Sequence, residues 1–106
     1  MKEFSTIDGV SSGTKTSMTY SYNKNGTSIS NRTVSWSGTT NAPLLLGGNT
    51  LAENVSDFEL KYYTSYSDAG DYIWGSSEKI IGITLQITGA SDVVSSFSIR
   101  VTPRNL

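Results

Sequence analysis

The most continuous alternation of hydrophobic and polar residues in the chain lies at Lys79–Gly89. Its large aliphatic residues are Ile81, Ile83, Leu85 and Ile87, and small or polar residues stand between them. Because successive side chains of a β-strand point to opposite faces, these four aliphatic residues share one face. The pattern predicts a strand with one buried face, and we expect the rest of the chain to supply the remainder of that sheet.

A β-hairpin is predicted in the first half of the chain. Lys15–Asn23 alternates apolar and aromatic residues with polar ones, and Thr27–Ser35 continues the alternation less regularly. Between these two segments stands Asn25-Gly26, the pair best suited to the positive φ angles of a two-residue hairpin turn.

The second strand of this hairpin changes phase along its length. Ile29 and Val34 are separated by an odd number of positions, so a regular strand would place them on opposite faces. A β-bulge adds one residue to one strand and restores the phase. We therefore expect a bulge near Asn31-Arg32.

Two more strands are predicted in the second half of the chain. Val55–Thr64 alternates hydrophobic and polar residues, and Ser95–Thr102 directs Phe97, Ile99 and Val101 to one face. Short connections between successive strands favour antiparallel pairing. The resulting prediction is a mainly β fold, a single antiparallel sheet of about five strands in one domain that spans residues 1–106.

Two segments allow more than one interpretation. Phe4, Ile7 and Val10 are spaced three apart, which is typical of a short helix that packs on the sheet, although an extended lead-in fits as well. We expect at most this short N-terminal helix. The apolar run Pro43–Leu46 is closed by two glycines and fits either a pinned loop or a short strand.

The composition argues against several classes of function. The chain has no histidine and no cysteine, which removes the commonest general base, the commonest metal ligands and a reactive thiolate. Eight basic and nine acidic residues give a net charge of −1, which provides no electrostatic basis for binding nucleic acid. No apolar run approaches the roughly 18 residues of a membrane span. We expect a protein without enzymatic activity and without a cofactor.

The segment Ser65–Ser77 is predicted to be a loop that projects from the sheet. Asp68 and Asp71 are weak candidates for calcium ligands, because Ca²⁺ prefers oxygen ligands from flexible loops, but an ordinary turn also favours aspartate. Four aromatic residues could form a surface that stacks on sugars or docks a protein, or could instead cap the core. These residues are Tyr63, Tyr66, Tyr72 and Trp74.

Three stretches together resemble a known family. They are Leu51–Tyr63 (LAENVSDFELKYY), Ile80–Ile87 (IIGITLQI) and Phe97–Leu106 (FSIRVTPRNL). In this combination the chain resembles the globular head of type IV pilin-like proteins, in particular the minor pseudopilins of type II secretion systems and minor type IV pilins. The terminal Arg104-Asn105-Leu106 is the most distinctive part of the resemblance.

The resemblance implies a structural role in protein transport or in a pilus. The expected partners are other pilin or pseudopilin subunits and secreted protein substrates. The intact family has an α+β fold, in which a long N-terminal helix anchors the subunit in the inner membrane and the head lies in the periplasm or at the cell surface. No such helix stands in this sequence, so the chain is expected to be a soluble head that lacks it.

Family members place part of that helix against the inner face of the sheet. The resemblance therefore implies that the face of Ile81, Ile83, Leu85 and Ile87 docks the helix, and that here it is partly uncovered or capped by residues of the N-terminal segment. The alternative to a filament subunit is a free extracellular β module, similar to an adhesin domain, that binds carbohydrate or protein.

Overall fold

In the part of the chain that the structure describes, seven strands, each paired antiparallel with the next one, form one curled sheet with the shape of a half-barrel. The structure is a computed structural model, and it describes residues 3–103 apart from the side chain of Ala90. The strands are β1 Ile7–Gly13, β2 Ser17–Lys24, β3 Thr27–Ser35, β4 Ala42–Leu46, β5 Asn49–Tyr63, β6 Ile80–Thr88 and β7 Val94–Val101. β1 and β7 are the two edges of this sheet.

The prediction of about five strands was wrong, because β1 and β4 are additional strands. The pairing of β1 with β2 shifts register twice, between Ile7 and Gly9 and between Val10 and Ser12. These irregularities remove the period of two by which a strand is recognised in a sequence. β4 has only five residues, too few for its apolar run to show a period.

Of the two interpretations of the N-terminal segment, the extended one agrees with the structure, and no α-helix forms in residues 3–13. A single 3-10 turn covers Phe4–Thr6, and the chain then enters β1 directly. In residues 3–103 the other helical segment is a second 3-10 turn at Ala90–Asp92. No helix in this part of the chain is long and apolar enough to cross a membrane.

The predicted hairpin is confirmed by β2 and β3. Asn25 and Gly26 have φ angles of 53° and 88°, as a tight turn between twisted antiparallel strands requires. The bulge is confirmed as well: Tyr20 lies opposite Arg32, but Tyr22 lies opposite Ile29, so β3 carries one extra residue here. The extra residue falls next to Asn31, whose φ of 58° is tolerated better by asparagine than by most residues.

The core lies on one face of the sheet, which we call the inner face. In β5, β6 and β7 it consists of three rows of paired residues: Tyr62–Ile81–Val101, Leu60–Ile83–Ile99 and Phe58–Leu85–Phe97. Met18 and Tyr20 of β2 and Val34 of β3 complete it from the other half of the sheet, and all three are fully buried. Each row places hydrophobic side chains from adjacent strands side by side, which is the unit of packing in a sheet.

The carboxyl-terminal half of β5 extends beyond β4, and two other segments cover its free edge. The amide of Leu60 donates a hydrogen bond to the carbonyl of Lys15 at 2.7 Å, and the backbone of Tyr62 exchanges two hydrogen bonds of 2.8 Å with Asp71. The loop after β5 therefore folds back along the strand rather than projecting from the sheet. Covering the edge in this way satisfies backbone groups that another chain could otherwise pair with.

Candidate functional site

An apolar cleft of about 280 Å³ opens on the inner face of the sheet. It is lined by Phe4, Leu44, Leu51, Phe58, Ile83, Leu85 and Phe97. All seven are hydrophobic, and they come from the N-terminal 3-10 turn and from β4, β5, β6 and β7. A cleft lined in this way can accept apolar side chains of a partner or a small apolar ligand.

The residues of the inner face become less buried toward the end of β6 and toward the start of β7, and the cleft opens there. Ile83 is buried, whereas Leu85 is only half-buried, and Phe97 beside it keeps 40% of its surface exposed. On β5, Leu51 is 38% exposed. The core is thus closed at the Tyr62 end of the inner face and open at the Phe58 end.

The four aliphatic residues that were predicted to dock a helix are divided between these two ends. Ile81 and Ile83 are buried in the core, and Leu85 and Ile87 are half-buried. Phe4 and Ile7 of the N-terminal segment are buried in the same core, and Val10 packs against it. The N-terminal segment therefore covers part of the inner face, and Leu85 remains in the wall of the cleft.

A polar group holds Phe4 in its position. Glu3 accepts hydrogen bonds from the hydroxyl of Tyr20 and, at 3.2 Å, from Nε of Arg32. Burial of Tyr20, together with its hydrogen bond to Glu3, raises the pKa of this phenol far above its usual value. The hydrogen bond to Glu3 likewise raises the pKa of Arg32. These bonds tie the first turn to β2 and β3, and the ring of Phe4 meets that of Tyr20 edge-on at 6.0 Å.

Beside this group lies a second, polar cleft of about 520 Å³, lined by Glu3, Thr6, Tyr22, Asn23, Lys24, Asn25 and Arg32. Its carboxylate and its guanidinium are already paired with each other. The apolar cleft is therefore the better candidate for a binding site.

The four aromatic residues near the loop have separate environments. Trp74 is half-buried, its ring meets that of Tyr62 edge-on at 5.8 Å, and its amide donates to the carbonyl of Gly13 at 2.9 Å. The ring of Tyr63 lies against the guanidinium of Arg100 at 4.3 Å. Trp74 thus serves the core, as the alternative interpretation of the sequence proposed.

Tyr66 and Tyr72 are the exposed aromatic residues of the set, with 74% and 39% of their surfaces accessible. The ammonium groups of Lys15 and Lys61 lie 5.0 and 5.2 Å from the centre of the Tyr72 ring. Ile73 next to it is 64% exposed. Tyr66 and Tyr72 are therefore the exposed part of the predicted aromatic surface, and Ile73 adds an exposed aliphatic group beside them.

The two calcium candidates take part in hydrogen bonds inside the loop. Oδ2 of Asp68 accepts hydrogen bonds from the backbone amide and the hydroxyl of Thr64 at 2.9 and 3.0 Å. The hydrogen bond from the backbone amide is the main reason why the pKa of Asp68 is lowered. Oδ1 of Asp71 accepts from the amide of Tyr72 at 2.8 Å. Among residues 3–103, no three acidic side chains lie together as a metal site would require.

Comparison with models of known protein families found no match, and neither did comparison with curated proteins or with solved structures.

The cleft should bind an environment-sensitive apolar dye at low protein concentration. Leu51→Glu and Phe97→Glu place a charge in its wall, and each is expected to weaken dye binding about tenfold, because a carboxylate removes apolar contact and is costly to desolvate. Fluorescence titration measures the effect. Ile73→Glu is the matched control, since Ile73 is exposed but lies outside the cleft lining. Equal binding by all three variants would place the dye elsewhere.

Proposed function

We propose that this chain is the head of a structural, non-enzymatic subunit of a bacterial type II secretion pseudopilus or type IV pilus. The proposal rests first on the three stretches that resemble the family, of which the first two lie on β5 and β6 and residues 97–101 of the third lie on β7. Of the terminal Arg104-Asn105-Leu106, no part lies within the described residues. The partners in this proposal are other pilin or pseudopilin subunits and secreted proteins, and no cofactor is required.

The observation that carries the proposal is the open apolar cleft on the inner face. In a pilin-like subunit this face packs against an apolar helix that belongs to the same chain. The half-buried Leu85 and Ile87, the exposed Phe97 and the apolar lining offer such a helix a surface that is otherwise unfavourable in water. A second contact surface is proposed at Tyr66, Tyr72 and Ile73, whose exposed rings and aliphatic group suit a neighbouring subunit or a secreted protein.

The decisive experiment uses the complete gene in the cells that encode it. We expect the reading frame to continue upstream of Met1. The upstream part should encode a leader that ends in glycine, and Phe or Met should follow that glycine directly. An apolar helix should come next, with a glutamate five residues into it. Deletion of the gene should abolish pilus assembly or protein secretion, and the wild-type gene should restore it.

The complementing gene should lose its effect when it carries Leu85→Glu, because this charge faces the proposed helix contact. Val93→Glu serves as the control and should retain assembly, because Val93 is exposed and lies outside both proposed contact surfaces. Melting temperatures of the isolated heads establish that both variants fold. A reading frame that begins at Met1 without a preceding apolar helix would contradict the proposed function.

A further inference from the structure

The two edges of the sheet differ in how well they are protected from pairing with another chain. β1 is interrupted by two register shifts, which bend an edge and hinder the addition of a strand. β7 pairs with β6 in an unbroken register from Thr88–Val94 to Ile81–Val101. Among the described residues, no segment pairs with the outer side of β7.

β7 also lacks the residues that normally discourage strand addition. Val94–Val101 contains no proline and no lysine. Its single charged residue is Arg100, whose guanidinium lies against the ring of Tyr63 rather than along the edge. Five consecutive residues at the start of the strand are exposed. An edge strand in unbroken register, with one charged residue that points away from the edge, is a template for another strand.

The apolar cleft continues to this edge. Phe97 is in the cleft wall and on β7, and it ends the row that begins with Phe58 and Leu85. A strand added beyond β7 would place a side chain next to Phe97 and extend that row, because directly paired residues point to the same face. Pairing at the edge would therefore also cover the exposed part of Phe97.

We propose that β7 binds the β7 strand of a second copy of this chain, antiparallel and about a two-fold axis at Phe97. In this register Phe97 pairs with itself, Ser96 with Ser98 and Val94 with Arg100. Each pair lies on one face, so apolar Phe97 meets Phe97 on the inner face and serines meet on the outer face. No like charges oppose each other, because the only charged residue of the strand meets a valine.

This inference goes beyond the proposed function and does not depend on it. Phe97 belongs to both surfaces, but the backbone groups on the outer side of β7 are available for pairing whether or not a helix docks on the inner face. An interface built around one pair of strands is smaller than a standard protein interface of about 1,600 Å², so the dimer should be weak.

Sedimentation equilibrium of the intact chain, from about 10 µM to about 1 mM, is the first test of this weak association. We expect the average mass to rise from the chain mass of 11.4 kDa toward twice that value. Amide hydrogen exchange of β7 should slow over the same range. A mass that stays at 11.4 kDa up to the highest concentration would overturn the proposal.

Like charges placed opposite each other across the two-fold axis test the register. The double variant Ser96→Glu/Ser98→Glu opposes carboxylates across the two-fold axis, and Ser96→Lys/Ser98→Lys opposes ammonium groups, so each should dimerise at least about tenfold more weakly. An equimolar mixture should recover the dimer, which also shows that both variants fold. The control Ser11→Glu/Ser12→Glu charges the exposed part of β1 and should dimerise as the wild type does. Unchanged dimerisation of the β7 variants would rule out this interface.

Discussion

Gly13→Ala is expected to lower the free energy of unfolding by about 2–4 kcal/mol, because a Cβ at Gly13 would make the closest contact of any glycine in the chain. A Cβ built on Gly13 would lie 2.5 Å from Cζ of Tyr62 and would also overlap its hydroxyl. Carbon atoms do not approach this closely, so either the ring or the turn between β1 and β2 must move.

Neither the ring nor the turn can move without losing other contacts. Tyr62 is fully buried, its hydroxyl donates to the carbonyl of Thr14 at 2.8 Å, and its ring meets Trp74 edge-on. The carbonyl of Gly13 itself accepts the amide of Trp74. Displacing the ring would therefore break a buried hydrogen bond and disturb the contact between the loop and the sheet.

Urea denaturation of the wild type and the variant measures this effect. Gly89→Ala is the matched control, since a Cβ there would have an ordinary contact of 3.5 Å with the carbonyl oxygen of Val93. The control should change the unfolding free energy by less than about 1 kcal/mol. A similar loss of stability in both variants would mean that the close approach of Gly13 to Tyr62 is not the cause.

Stability is also expected to fall steeply above pH 10. Burial raises the pKa of both Tyr20 and Tyr62 well above the usual value of 10.0, with a further contribution from Glu3 to Tyr20. Both phenols thus stay protonated in the folded protein when they already ionise in the unfolded chain. Their contribution to stability is complete below pH 10 and is lost as pH rises toward the folded pKa values. Each tyrosine should remove about 1.4 kcal/mol per pH unit in this range.

Chemical denaturation at pH 9, 10, 11 and 12 would give the slope, and absorbance of ionised tyrosine would show which phenols titrate before unfolding. Tyr62→Phe should cost about 1 kcal/mol at pH 7, from the lost hydrogen bond to Thr14, but should reduce the alkaline slope by about 1.4 kcal/mol per pH unit. Tyr66→Phe, at an exposed position, should leave the slope unchanged. A slope that is the same in all three proteins would exclude Tyr62 as a source of the pH dependence.

Local sequence was sufficient for the hairpin of β2 and β3. Asn25-Gly26 specifies the turn through backbone preferences of its own two residues, and the phase change between Ile29 and Val34 marks the bulge. The alternating segments of β5, β6 and β7 were identified for the same reason, since a period of two depends only on neighbours along the chain. The inward direction of Phe97 was also predictable in this way.

Local sequence left two interpretations open where pairing with a distant strand decides the structure. Phe4, Ile7 and Val10 have helical spacing, yet Ile7 and Val10 form β1 because the backbone groups of β2 are available to pair with them. Pairing with β3 and β5 likewise makes the short run Ala42–Leu46 a strand. Local preference is weak compared with the hydrogen bonds and burial gained in a sheet.

The sequence by itself determined a mainly β chain with its hairpin, its bulge and the hydrophobic face of Lys79–Gly89. The tertiary structure decided the number of strands, the return of the loop onto β5 and the position of the apolar cleft. Glu3, Phe4 and Leu51 show why: each acquires its role from residues far away in the chain, such as Tyr20 or Phe97. Alternation records which side of a strand is apolar, but only the curvature of the sheet and the packing of distant segments decide how much of that side is covered.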